Sequence, residues 1–496
     1  MSNIFSFLKE STSKYPNKQY VIDKEKKYTY SEIYKKVNIL AGLLFESGVK
    51  SGDRVFLYLD NSAQYIAAYF AILRCNAIIV PINKNASIDS IQYIIEDTLP
   101  ICIISNEVFM LRLKGGINLN EMKVIDMDKV WESEKLHTEE LSGRLLEDDD
   151  RPALLLYTSG TTRMPKGVTL THKNLTANTV TIEDYLELTE ADTLLLIIDF
   201  GNSYGNTLLL THTKAGCEII IENRVSYPFL ILEQLYKTRA TGFSTVGSHI
   251  NILLKQEGLK DFHFKNLRYI TFAGESTDFK DIQTIKELAP NLKVCVVYGQ
   301  TEASPVLSYL ESDLVLTKMG SIGKGIPGSE LKVVTEDGME AAAGEIGEII
   351  AAGDNIMKEY WNNEEETRLV IKDGWLYTGD LAVKDEDGYI YFKGRKDDII
   401  KYFGHRISPA EIEVAINSCN NVLESAVIGI EDHQGKKIKA VVVTKNGVAC
   451  MEQINLHVRK LLPAFKRPHI IEFVEELPRT SNGKIKRSEL RKRSLV

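Results

Sequence analysis

The stretch Leu154-Leu-Leu-Tyr-Thr-Ser-Gly-Thr-Thr-Arg-Met-Pro-Lys-Gly167 begins as an apolar strand and breaks into hydroxyls, glycines and a lysine. Hydroxyls and exposed amides of Thr158, Ser159, Gly160, Thr161 and Thr162 are suited to gripping phosphate oxygens, and Lys166 adds a point charge. The pattern GxxxxGK[ST] is absent, so this is not a Walker A loop. Taken alone, a run of Ser, Thr and Gly also reads as a plain polar turn, and the surrounding chain has to decide between the two.

On both sides of this stretch, short Val/Ile/Leu-rich runs alternate with helical patterns. Arg54–Asp60, Asn76–Ile82, Ile101–Asn106, Lys123–Asp128 and Pro152–Thr158 precede the loop; Thr193–Asp199, Cys217–Glu222, Leu267–Gly274 and Val294–Gly299 follow it. Between them lie segments such as Ser62–Arg74, apolar at helical spacing with Ser62 as a candidate cap. This alternation predicts α/β units with largely buried parallel strands. From about Leu331 the strands alternate more strictly and are separated by Asp-Gly turns at Asp337-Gly338 and Asp387-Gly388, which predicts a smaller antiparallel sheet or barrel. A last block carries helical patterns near Ala410–Ser418 and Met451–Leu462 around two strand-like runs, as a compact α+β domain would.

Lys and Arg number 60 against 68 Asp and Glu in 496 residues, giving a net charge of −8 that argues against a globally basic nucleic-acid-binding face. The six cysteines form no CxxC pair and the nine histidines no HExxH, which argues against structural zinc. Lys9 and Glu10 cut the first apolar run too short for a secretory leader, and Arg74, Asn76 and Pro81 interrupt the greasy stretch Ala67–Ile82. The expectation is a reduced, cytoplasmic, soluble protein without stable membrane insertion and without a nucleic-acid partner.

Six matches, the opening stretch among them, fix the reading. Tyr157–Gly167 (YTSGTTRMPKG), Tyr298–Glu302 (YGQTE), Gly347–Gly353 (GEIIAAG), Trp375–Asp380 (WLYTGD), Gly394–Glu413 (GRKDDIIKYFGHRISPAEIE) and Arg479–Arg487 (RTSNGKIKR) stand in one order along the chain. In this order the sequence resembles the adenylate-forming superfamily, which comprises acyl- and aryl-CoA synthetases, free-standing adenylation domains and luciferases. The resemblance implies an N-terminal AMP-binding domain over residues 1–393, made of two α/β subdomains and a small β-barrel-like one. It also implies a hinge at 394–398 and a mobile α+β C-terminal domain at 399–496.

It implies a two-step reaction as well. A carboxylate attacks the α-phosphorus of ATP, giving an acyl-adenylate and pyrophosphate; a thiol then takes the acyl group and AMP leaves. Charge crowds the phosphates in the first transition state, and magnesium, loop amides and a lysine are suitable stabilisers. By the resemblance, Thr158 to Lys166 hold the β and γ phosphates, and Tyr298 and Gly299 lie against adenine together with Gly274 and Glu275. Thr301 touches the α-phosphate and Glu302 binds Mg²⁺. Asp380 accepts the ribose hydroxyls beside Arg395, a task suited to two acceptor oxygens. Lys484 contacts the carboxylate and α-phosphate during adenylation, Asp397 is the pivot between the two steps, and Gly404 borders the path of the incoming thiol.

Departures from the family pattern gather at two places. Arg163 stands where the phosphate loop usually has glycine, and Glu275 where a small residue is common. By spacing, Asn202 replaces the usual histidine before the acyl pocket and Gly247 a frequent proline, which makes Asn202, Ser203, Tyr204 and Gly247 the candidate pocket residues. Amino-acid-activating domains carry an aspartate where spacing puts Ser203, so the acid is expected to lack an α-amine. Coenzyme A and the phosphopantetheine of an acyl or peptidyl carrier protein both fit the thiol step, and a catalytically silent nucleotide-binding protein is the remote alternative.

Overall fold

A computed structural model describes residues 3–117, 122–132, 148–158, 165–254, 264, 266–273, 279–402, 405–432, 435–445, 451–479 and 485–494. By density of contacts the chain forms two compact units, one of residues 1–331 and 351–376, the other of 332–350 and 377–496.

The first unit holds two α/β sheets. One runs, edge to edge, Glu359–Tyr360, Lys166–Thr171, Pro152–Thr158, Ile78–Pro81, Arg54–Tyr58, Cys102–Ser105 and Lys123–Asp126. Its strands from Pro152–Thr158 to Lys123–Asp126 are parallel, and the two at the other edge are antiparallel additions. The parallel strands are apolar along their length because helices cover both faces. The helix Ala63–Arg74 is an example: Ser62 caps it by accepting from the Tyr65 amide at 3.0 Å, and every residue from Tyr65 to Leu73 is buried. The predicted greasy stretch is thus this helix and the strand Ile78–Pro81. Among the described residues no helix is long and apolar enough to cross a membrane.

The second sheet of this unit orders Val306–Leu310, Lys293–Gly299, Tyr269–Ala273, Gly242–Val246, Thr193–Leu196, Glu218–Ile221, Gln19–Asp23 and Lys26–Thr29. It is parallel from Lys293–Gly299 to Gln19–Asp23. The sequence reading missed its central strand Gly242–Val246, because Gly242, Ser244 and Thr245 dilute the apolar signal, and also missed Lys166–Thr171. In both sheets candidate residues such as Thr158, Tyr298 and Gly299 fall at the carboxyl ends of parallel strands, where open α/β sheets bind ligands.

In the second unit, Asp380–Lys384 of the strand Trp375–Lys384 pairs antiparallel with Ile390–Arg395, as the strict alternation predicted. The C-terminal block is α+β. Its strand Val422–Asp432 lies antiparallel to Gly435–Thr444, which is parallel to Ile470–Val474. Ile412, Ile416, Ile454 and Val458 from the helices Pro409–Asn417 and Met451–Leu461 close one face, and Leu477 and Leu490 the other.

Two fully buried imidazoles set an acid limit on the fold. His172 Nδ1 accepts from the Ile4 amide at 3.3 Å, and burial, aided by the Arg151 charge, lowers its pKa to about 3. His212 Nδ1 donates to the Leu208 carbonyl at 2.8 Å, so its Nε2 accepts from the Tyr269 hydroxyl at 2.6 Å, and burial lowers its pKa to about 4. Both folded values lie below the ordinary 6.5, so the unfolded chain takes up protons first and stability falls as pH drops below 6.5. Each imidazole should contribute about 1.4 kcal/mol per pH unit between pH 6 and 5. Urea unfolding at several pH values should therefore give a shallower acid dependence for His172→Gln than for the wild type; an unchanged slope refutes this origin.

Candidate active site

The strands on either side of the candidate phosphate loop pair with each other. Thr158 ends one strand and Lys166 opens the next, and the two stand directly opposite in antiparallel register. Lys166 Nζ lies 2.6 Å from Glu366 Oε2 and 5.1 Å from the centre of the Tyr360 ring. Tyr360 is brought there by the short edge strand Glu359–Tyr360, which pairs with Val168 and Thr169.

Tyr298-Gly-Gln-Thr-Glu302 leaves its strand through a register shift between Tyr298 and Gly299 and enters a 3₁₀ turn at Thr301–Ala303. A glycine is required at 299, because a Cβ there would stand 1.8 Å from the Pro305 carbonyl oxygen. That same oxygen accepts from the Gln300 amide at 2.9 Å. The Asn355 amide group braces the turn from outside, donating to the carbonyls of Ala303 at 3.1 Å and Val306 at 3.2 Å. Glu302 Oε1 accepts from the Tyr360 hydroxyl at 2.8 Å, and the Thr301 hydroxyl reaches Ser203 Oγ at 3.2 Å.

The last contact joins the nucleotide motif to the predicted acyl pocket. Asn202 and Ser203 stand at the start of the helix Ser203–Lys214, and Asn202 Oδ1 accepts from the Asn83 side chain at 3.2 Å. The Tyr204 hydroxyl shares a hydrogen bond of 2.5 Å with Thr271 Oγ1, which donates to Ser244 Oγ at 2.8 Å. Gly247 follows the strand Gly242–Val246 directly and is buried. Asp199, a carboxylate just upstream of the candidate pocket, accepts from the Gly201 amide at 2.8 Å within its own loop, and burial pushes its pKa upward.

Asp380 and Arg395 face each other across the strand pair of the second unit. The Asp380 side chain is only 3% exposed, and its Oδ1 lies 2.8 Å from Arg395 Nε. Glu348, which the sequence reading overlooked inside GEIIAAG, holds the turn next to Asp380. It accepts from the Gly379 amide at 3.1 Å and pairs with Lys396 at 2.8 Å. Gly379 has φ of +72°, a left-handed conformation that favours glycine. Asp397 borders a cavity of about 270 Å³, and its neighbour Asp398 is paired with Arg491 at 2.6 Å. Ser159, Gly160, Thr161, Thr162, Arg163, Gly274, Glu275, Gly404 and Lys484 lie outside the described residues.

The donor set at Thr301 and Glu302 is a hydroxyl and a carboxylate, the hard oxygen chemistry that suits Mg²⁺, with the Lys166 ammonium to share the charge of phosphates. Tyr360, Glu366 and Glu348 were not found from sequence, since nothing in the local composition separates them from solvated charges and core aromatics.

Comparison with known proteins gives the family. The sequence profile of the AMP-binding enzyme family matches residues 8–361, and that of the AMP-binding enzyme C-terminal domain matches 411–484. A long-chain-fatty-acid–CoA ligase of Bacillus subtilis (strain 168) is 30% identical over 98% of this chain and 93% of its own length. A 2-succinylbenzoate–CoA ligase of Bacillus cereus (strain Q1) is also 30% identical, over 96% of each chain. Among solved structures, an anthranilate CoA ligase in complex with anthranoyl-AMP superposes with a TM-score of 0.90 at 26% identity, covering 99% of this chain and 97% of that one. The chain belongs to the AMP-binding enzymes of the adenylate-forming superfamily.

Proposed function

We propose that the protein is an AMP-forming acyl- or aryl-CoA ligase that activates a carboxylic acid on MgATP and passes the acyl group to coenzyme A. The hydrogen bond between Thr301 and Ser203 carries this reading, because it sets the residue assigned to the α-phosphate against the residue assigned to the acid. An acid carboxylate held near Ser203 is then within reach of the phosphorus it must attack, and such positioning is a large part of the rate of a phosphoryl-type transfer.

In this assignment Thr158, the loop that follows it and Lys166 take the β and γ phosphates, Glu302 holds Mg²⁺, Asp380 takes the ribose, and Tyr298 packs against adenine. Magnesium supplies charge neutralisation at the phosphates when bound. Lys484 is assigned to adenylation, Gly404 to the thiol path and Asp397 to the pivot between the two half-reactions. The acid lacks an α-amine, because Ser203, at the position where amino-acid-activating domains carry an aspartate, offers no counter-charge. The Tyr204 hydroxyl is satisfied within the wall by Thr271, and its ring packs against the apolar core that includes Tyr269 and Cys295.

Carboxylate-dependent exchange of pyrophosphate into ATP tests the reading. Run over a panel of aryl, aliphatic and amino acids, it should respond to acids without an α-amine. Thioester should then form with free coenzyme A and not with a holo carrier protein. No exchange with any acid would sink the ligase reading, and thioester on the carrier alone would replace the acceptor.

A further inference from the structure

The cation and the carboxylate that serve the phosphates are tied to each other by two residues outside the motifs that carry the family reading. Tyr360 donates its hydroxyl to Glu302 Oε1 at 2.8 Å and places its ring 5.1 Å from Lys166 Nζ. Glu366 holds the same ammonium at 2.6 Å. The backbone explains both positions. Tyr360 stands opposite Val168 at the sheet edge, so its ring lies diagonal to Lys166 on the same face. Its amide donates to Thr367 Oγ1 at 2.9 Å, locking the strand to the following helix Glu364–Val370. Glu366 is the third residue of that helix, where a glutamate commonly reaches back to the amide of the capping residue. Here the Asn363 amide already donates to the Tyr360 carbonyl at 3.1 Å, and the Glu366 carboxylate turns to Lys166 instead. A cavity of about 150 Å³ lined by Lys166, Tyr360 and Glu366 opens beside the ion pair.

We infer that Glu366 is a counter-ion for Lys166 that the β,γ-phosphates of ATP displace, and that Tyr360 is a positioning residue holding the Glu302 carboxylate for the metal. The inference rests on the assignment of Lys166 and Glu302 to MgATP made above. Without nucleotide, Glu366 keeps the ammonium aimed along the sheet edge. When phosphate oxygens arrive they compete for the same charge-assisted bond, and the displaced carboxylate opposes them as a like charge. Removing that charge therefore strengthens nucleotide binding, whereas a purely structural ion pair would give weaker or unchanged binding on its loss. The Tyr360 hydroxyl leaves one carboxylate oxygen of Glu302 fixed, so that its loss alters the response to metal rather than to nucleotide.

The test is calorimetric titration of the whole protein with ATP, first in chelator and then across a series of Mg²⁺ concentrations, with thermal unfolding to verify the fold of each variant. Glu366→Gln should bind metal-free ATP about fivefold more tightly than wild type, the size of effect expected for one partly exposed charge. Tyr360→Phe keeps the ring over Lys166. It should bind metal-free ATP within twofold of wild type and need about fivefold more Mg²⁺ for the same gain in affinity. Weaker or unchanged ATP binding by Glu366→Gln, or an unchanged Mg²⁺ response in Tyr360→Phe, overturns the inference. Failure of the wild type itself to bind ATP would overturn the nucleotide assignment instead.

Discussion

Lys484→Ala is expected to slow adenylate formation by about 10² to 10³-fold, a loss of about 3–4 kcal/mol of transition-state stabilisation. Lys484 follows Gly483 in the run Arg479–Arg487, which holds one further lysine and two arginines, so charge alone does not single it out. The motif does, because glycine beside lysine allows a tight loop to deliver an ammonium into a cleft. An ammonium acting only as the α-phosphate acquires charge changes the rate far more than the binding of ATP. Single-turnover adenylation, measured with ATP affinity alongside, separates the two. Rates within threefold of wild type would remove Lys484 from the site. Thioester formation from pre-formed adenylate should be spared, since the lysine is assigned to the first half-reaction alone.

The second large effect is expected at a residue with no side chain. In Gly299→Ala the new methyl would sit 1.8 Å from the Pro305 oxygen and 2.8 Å from its carbonyl carbon, both backbone atoms that no rotamer change can move aside. The turn must therefore shift. Pro305 also accepts from Gln300, so the displacement passes directly into Thr301 and Glu302. Overpacking of this kind costs about 1–3 kcal/mol of stability. A misplacement of about 1 Å at a reacting centre costs on the order of 10² in rate. The variant should accordingly remain folded, with a lowered unfolding midpoint, and lose pyrophosphate exchange by about 10²-fold. Exchange near the wild-type rate would mean that this turn does not position the reacting groups.

Much of the architecture is legible in the sequence because parallel strands covered by helices are apolar along their whole length. Runs such as Ile78–Pro81 and Cys102–Ser105 announce themselves in that way. Gly242–Val246 does not: three of its five residues are polar or glycine, and its place in the middle of a sheet comes from neighbours distant in sequence. The candidate site divides along the same line. Tyr298, Thr301, Glu302 and Asp380 stand in contiguous motifs and could be named by their order. Tyr360, Glu366 and Glu348 act on residues between 31 and 200 positions away, and only the pairing of strands brings them there. Asp199 shows the converse. A carboxylate upstream of the pocket invites a role toward the substrate, yet its oxygen is engaged by the amide two residues on.

The backbone passes between the two compact units three times, after Leu331, after Ile350 and after Leu376, and not again before the C-terminus. Three covalent bridges cannot turn about one bond, as a lid on three straps cannot swing. A rotation centred on Asp397 therefore cannot carry the whole second unit; it has to leave Lys332–Ile350 and the strand Trp375–Lys384 behind and begin downstream of the last bridge. A pivot at Asp397, as proposed above, would divide a unit that is compact at rest, so the stretch after residue 397 would part from some of its own packing as it turned.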